Sequence, residues 1–213
     1  MIIDSHQHFW NYDPIKDAWI DSSMEVIKRD FLPKNLKPLL DENGIDGCIS
    51  VQADQSENET DFLLSCAQKN KFIKGVVGWL DLTSKNLESR LNHYVKNPFF
   101  KGLRHIVQAE KDDYLLRSDV QNGISKLAKH NLTYDILVFP SQLTAAITLV
   151  KKFPNQQFIL DHISKPDISD SMDELWKSNI VELAKNQNVC CKLSGLVTEL
   201  SLIHISEPTR RRG

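Results

Sequence analysis

The chain has 213 residues, 41% of them apolar and 25% charged, with a formal net charge of −2. That is enough apolar material for a real core, and the balanced charge leaves no basic stripe to follow a nucleic-acid backbone. No apolar run approaches the ~20 residues that span a bilayer, and no basic and apolar leader opens the chain, so a cytoplasmic protein is expected. Cys48, Cys66, Cys190 and Cys191 form no C-x-x-C pair and read as reduced, mostly buried thiols.

The first predicted element is a strand, with Met1-Ile2-Ile3 leading into Asp4-Ser5-His6-Gln7-His8-Phe9-Trp10. In an extended chain, side chains two apart share a face. His6 and His8 would then converge on one point, able to hold a metal ion or to polarise a substrate oxygen. The alternative is a structural pair satisfied by Asp4 and Ser5. Asn11 to Asp30 is long and aromatic for a connection and predicts a folded loop, with Trp10 and Trp19 either lining a pocket or packing the loop down.

A helix is expected from Pro33 to Asn43, opened by proline and stopped at Gly44. Gly47 to Val51 reads as a buried strand ending in Gln52-Ala53-Asp54. Ser56-Glu57-Asn58-Glu59 reads as a capping box that opens a helix with Phe62, Leu63 and Cys66 on one face. Strands follow at Lys74 to Leu80, Lys101 to Ile106, Leu132 to Phe139, Gln157 to Leu160 and Asn188 to Leu193. Between them lie helical spacings around Leu87 to Val95, Val120 to Ala128, Pro140 to Lys152 and Met172 to Lys185.

The strands are short apolar runs without alternation, the pattern of parallel strands buried on both faces. Seven such strand–helix turns predict an α/β fold, a (β/α)8 TIM barrel that is incomplete. An open doubly wound sheet is the weaker alternative, because no Gly-rich phosphate loop follows the first strand. The pattern breaks after Glu199. Residues 1–199 are expected to form the barrel, and residues 200–213, ending in Arg210-Arg211-Arg212-Gly213, read as a non-native, adaptor-like tail.

In such barrels the chemistry sits at the C-terminal strand ends. Those ends carry His6 and His8, Gln52 and Asp54, Trp79 and Asp81, Arg104 and His105, Asp161 and His162, and Lys192 and Ser194, with Tyr134 and Asp135 partway along their strand. His93 and His130 fall on helices and read as solvated.

At these residues the sequence resembles the amidohydrolase superfamily, and within it the amidohydrolase-2 group that includes sugar lactonases. The resemblance rests on Ile3-Asp4-Ser5-His6-Gln7-His8-Phe9-Trp10, Lys101-Gly102-Leu103-Arg104-His105, Leu160-Asp161-His162-Ile163-Ser164-Lys165-Pro166 and Cys191-Lys192-Leu193-Ser194-Gly195. It implies hydrolysis of a small-molecule lactone by an activated water, with His6 and His8 binding a divalent metal or, without one, polarising the lactone carbonyl. His162 would be a third ligand or a hydrogen-bond donor to the same oxygen. Arg104 would offer a cationic fork, His105 would support it, and Gln52, Tyr134 and Trp10 would contact the substrate. For Arg104 the structural alternative is a buried salt bridge to Asp81 or Asp135.

The superfamily's water-activating aspartate belongs at the end of an eighth strand, which is not found here, so this length of chain is expected to be inactive. Arg104-His105 stand where two-metal relatives carry a modified lysine, which argues against a two-metal site. One Zn²⁺ suits the imidazoles, and hydrolysis without metal stays open. A Zn-dependent decarboxylase or another metal-dependent hydrolase on the same barrel is the competing reading.

Overall fold

The structure, a computed structural model, describes residues 1–18, 20–166 and 174–195. Trp19, the expected helix start at Met172 and the tail at 200–213 lie outside the described residues. The elements alternate as β1 (Ile3–Gln7), α1 (Pro33–Glu42), β2 (Gly47–Val51), α2 (Glu57–Lys69), β3 (Ile73–Gly78), α3 (Leu87–Tyr94) and β4 (Phe100–Ile106). They continue as α4 (Ser118–Ile124), β5 (Thr133–Leu137), α5 (Leu143–Lys152), β6 (Phe158–Leu160), α6 (Glu174–Ala184) and β7 (Val189–Cys191). The strands follow sequence order from β1 to β7 in a seven-stranded sheet. The fold is an incomplete (β/α)8 barrel, as the strand–helix alternation predicts. Among the described residues no helix is long and apolar enough to cross a membrane.

Two compact units divide the chain, Met1–Leu80 with Arg90–Leu103, and Asp81–Ser89 with Arg104–Gly213. In the first, β1 pairs with β2, β2 with β3 and β3 with the start of β4, all parallel. Val51, Leu63, Ile73, Val76 and Leu91 fill its core. In the second, β5, β6 and β7 pair in parallel over Leu115, Ile124, Leu143, Leu149 and Phe158. β2 and β3 are buried along nearly their whole length, which is why their sequences run apolar instead of alternating.

Element ends differ from expectation where side chains capture the backbone. β3 stops at Gly78, because the Trp79 N–H donates to Thr60 Oγ1 at 2.9 Å and that hydroxyl donates to the Trp79 carbonyl at 3.0 Å. The helix expected over Val120 to Ala128 breaks after Ile124 into turns, and Asn131 closes them in the left-handed region at φ 55°. Gly123 is required in α4, since a Cβ there would stand 2.2 Å from the Leu82 carbonyl oxygen.

The loop from Asn11 to Asp30 is folded, as its aromatics predict. Trp10 and Phe31 exchange two backbone hydrogen bonds of 3.0 Å at its base, and a 3-10 helix, Ser22–Ile27, lies within it. Two smaller expectations are corrected. Cys190 and Cys191 are exposed, because β7 is half-covered at Val189 and open over its last two residues. His130 is only 13% exposed and lies 3.7 Å from Glu88, because the turn after α4 folds it inward.

Candidate functional site

In the first unit His6 lies within β1 and His8 one residue beyond it. The β1–β2 register shifts between Asp4 and Gln7, and Asp4 accepts the His6 backbone N–H at 3.0 Å. This irregular strand end turns both imidazoles together, with the two Nε2 atoms 3.1 Å apart and the rings at 78°. His8 Nδ1 lies 2.8 Å from the Val51 carbonyl oxygen. A carbonyl only accepts, so Nδ1 carries the proton and the neutral ring presents a bare Nε2. Two nitrogens bound at 2.0–2.1 Å to one tetrahedral ion stand about 3.3 Å apart. The pair therefore fits a divalent metal ion.

Gln52 follows β2, is fully buried, and donates its backbone N–H to the Val77 carbonyl at 2.8 Å. Trp10 stacks on Phe31 with ring centroids 4.5 Å apart.

The predicted capping box is only half formed. Ser56 Oγ accepts the Glu59 N–H at 3.2 Å, but the Glu59 carboxylate turns away and accepts from the N–H groups of Ala53 at 3.0 Å and Asp54 at 2.6 Å. Asp54 in turn pairs with Lys16 of the folded loop at 2.9 Å. Burial pushes the Glu59 carboxyl up from 4.5 to about 7, against the pull of the two N–H donors. A carboxyl raised on folding stabilises the fold fully below its unfolded value and loses that contribution as pH rises to the folded one. Glu59 should therefore make stability fall between about pH 4.5 and about pH 7, by on the order of 3 kcal/mol. Urea melts of wild type and Glu59→Gln across that range check this, and the variant should lose that component of the slope.

In the second unit four charged side chains form one buried network. Arg104 on β4, Asp135 on β5, Asp161 just past β6 and Lys192 just past β7 are all at most 9% exposed. Arg104 Nη1 donates to Asp161 at 3.0 Å, and Lys192 Nζ bridges Asp161 at 3.0 Å and Asp135 at 2.5 Å. Burial and the neighbouring Asp161 push the Asp135 carboxyl up, while Lys192 and Arg104 pull it back. Where Asp81 or Asp135 was the expected partner, Arg104 pairs with Asp161, because the end of β6 brings that carboxylate to the guanidinium. Sequence reasoning placed all four residues at or within strands but missed that they neutralise one another. The signal was there, as four opposite charges interrupting apolar strand runs.

His105 lies 3.0 Å from Glu110 through Nε2 and stacks on Tyr114, with ring planes 9° apart. Tyr134 is fully buried and meets Phe158 edge-on. His162 follows Asp161 at the end of β6, and its Nδ1 lies 2.9 Å from Ser194 Oγ.

The strand–helix alternation of a parallel barrel and the paired imidazoles at the end of β1 define the class of scaffold. The chain matches the amidohydrolase family (Amidohydro_2) over residues 3–212 and belongs to that family. It is 35% identical over 198 residues to an L-fucono-1,5-lactonase of Burkholderia ambifaria, covering 92% of this chain and 68% of that protein. It is 37% identical over 204 residues to an L-fucono-1,5-lactonase of Burkholderia multivorans, covering 92% and 69%. A crystal structure of an amidohydrolase from Burkholderia multivorans with bound Zn superposes with a TM-score of 0.90 at 36% identity, over 94% of this chain and 72% of that one.

Proposed function

We propose that this protein hydrolyses the ring ester of a sugar-acid lactone. The observation that carries the reading is the His6–His8 pair, with Nε2 atoms 3.1 Å apart and the His8 proton held on Nδ1 by Val51. Likeness to two L-fucono-1,5-lactonases at 35–37% identity supports the substrate class, and the bound Zn of the related amidohydrolase supports a metal at the pair.

In this reading His6 and His8 would hold one divalent ion, which when bound would supply Lewis acidity toward a carbonyl. The reaction adds the oxygen of water to the lactone carbonyl carbon, breaks the ring C–O bond and delivers a proton to the departing ring oxygen. A hydroxy acid results. His162 presents a ring nitrogen to the reaction. Arg104, held by Asp161, supplies positive charge, and His105 is fixed beside it by Glu110 and Tyr114. Gln52, Tyr134 and Trp10 shape the surroundings of the sugar ring.

Because no eighth-strand aspartate is read in these 213 residues, the test assays a panel of aldonolactones by acid release on the chain extended with that strand, with chelator and with Zn²⁺ restored. Turnover that falls with chelator and returns with Zn²⁺ is expected. A panel left at the buffer rate throughout would remove the lactonase reading, and chelator-resistant turnover would remove only the metal.

A further inference from the structure

The backbone directly after β6 is left-handed over four consecutive residues, none of them glycine. His162, Ile163, Ser164 and Lys165 have φ of 54°, 52°, 61° and 46°. L residues avoid this region, and a β-branched isoleucine avoids it most, so surrounding structure must hold the turn in place. That structure is visible. The Trp176 indole on α6 donates to the Ile163 carbonyl at 2.9 Å, and the Lys165 N–H closes onto the His162 carbonyl at 2.8 Å. Strain at one histidine, maintained by a tryptophan from another element, is a reason to ask what its ring is being aimed for.

The ring is met by Ser194 and Gly195, beyond β7. Ser194 Oγ lies 2.9 Å from His162 Nδ1. Gly195 lies so close that a Cβ there would stand 2.7 Å from Nδ1 and 2.9 Å from Cγ, and its own φ is +70°. Any larger residue would push the imidazole out of its seat. A hydroxyl at hydrogen-bond distance and a glycine against the ring edge define a socket.

We infer that Ser194 and Gly195 are positioning residues that lock His162 in one orientation and one tautomer, with the proton on Nδ1 donated to Ser194 Oγ and Nε2 unprotonated. The inference rests on the proposed role of His162 in lactone hydrolysis. His8 reaches the same state by a different route, its Nδ1 proton held by the Val51 carbonyl. Serine can accept or donate where a carbonyl can only accept, so the turn that aims the ring and the glycine that admits it must set the geometry. An unprotonated Nε2 can take a proton or bind a cation, whereas in the other tautomer Nε2 is a donor and the lone pair sits on Nδ1, facing Ser194.

The test is long-range ¹H–¹⁵N correlation on the full chain, labelled at histidine, at alkaline pH where the rings are neutral. Wild type should show His162 as the Nδ1–H tautomer, with distinct ¹⁵N shifts for the two nitrogens. Ser194→Ala should average them toward a mixture of tautomers, while exposed His93 on α3 stays unchanged and reports an intact fold. Gly195→Ala, a second route to the same socket, should also displace the His162 signals. A wild-type Nε2–H tautomer, or a His162 pattern unaltered by Ser194→Ala, overturns the inference. An altered tautomer with unchanged lactone hydrolysis leaves the socket intact as a finding and instead takes His162 out of the proposed reaction.

Discussion

Replacing His8 with alanine should weaken Zn²⁺ binding on the order of 100-fold or more and, in the chain extended with the eighth strand, take lactone hydrolysis down by a factor of about 10² to 10⁴. The cause is geometric. Two Nε2 atoms 3.1 Å apart would chelate one ion in the proposed reading, and the Val51 carbonyl holds the His8 proton on Nδ1. His6→Ala should cost a similar amount, because a lone imidazole on this half-buried strand end holds Zn²⁺ weakly. The double variant should add little to either single one, since removing one half of a chelate already removes the chelate effect. Titration calorimetry with Zn²⁺ and initial rates on the responsive lactone give both numbers. Zn²⁺ affinity within about threefold of wild type in both single variants would return the pair to a structural role.

Replacing Lys192 with methionine should destabilise the protein by about 3–5 kcal/mol. Lys192 Nζ bridges Asp135 and Asp161, which are 1% and 0% exposed, and without it Asp135 loses its ion-pair partner while Asp161 keeps Arg104. An unpaired buried charge is costly because the interior screens it poorly, and the methionine side chain has no polar atom to replace the lost donor. Pairing the change with Asp135→Asn should recover much of the loss, since Arg104 and Asp161 would then remain as one balanced pair. pH separates this from a packing defect. In the Lys192→Met single variant Asp135 should be raised further above the ordinary carboxylate value, so the deficit should shrink as pH falls and grow as pH rises. Urea melts of both single variants and the double variant at two pH values measure each of these, and a pH-independent deficit would assign the loss to packing.

Much of the candidate site could be read before folding because strand ends are easy to find in a parallel barrel. An apolar run bounded by polar residues marks each strand, and the residue types at its carboxyl end stand out against it. His6, His8, Arg104, Asp161, His162 and Ser194 were all placed this way. Pairing was harder. Arg104 and Asp161 are 57 positions apart, as are Lys192 and Asp135, and no local rule connects residues across that separation. The Glu59 carboxylate shows the same limit at short range. Its spacing from Ser56 matches a capping box, yet the N–H groups of Ala53 and Asp54 compete for it and win. Cys190 and Cys191 were misjudged because an apolar strand-like run says nothing of how well the finished strand is covered.

Periodicity and strand-end chemistry indicated the fold class, and the His-x-His spacing the candidate histidines, because these depend on residues near one another in the chain. Three things depended on the folded backbone. The tautomer of His8 comes from a carbonyl 43 positions away, the neutral buried quartet from four separate strands, and the socket of His162 from a left-handed turn and a glycine 33 residues beyond it. Each is a matter of which atom meets which at hydrogen-bond distance, and that is set by packing between elements rather than by pattern within one.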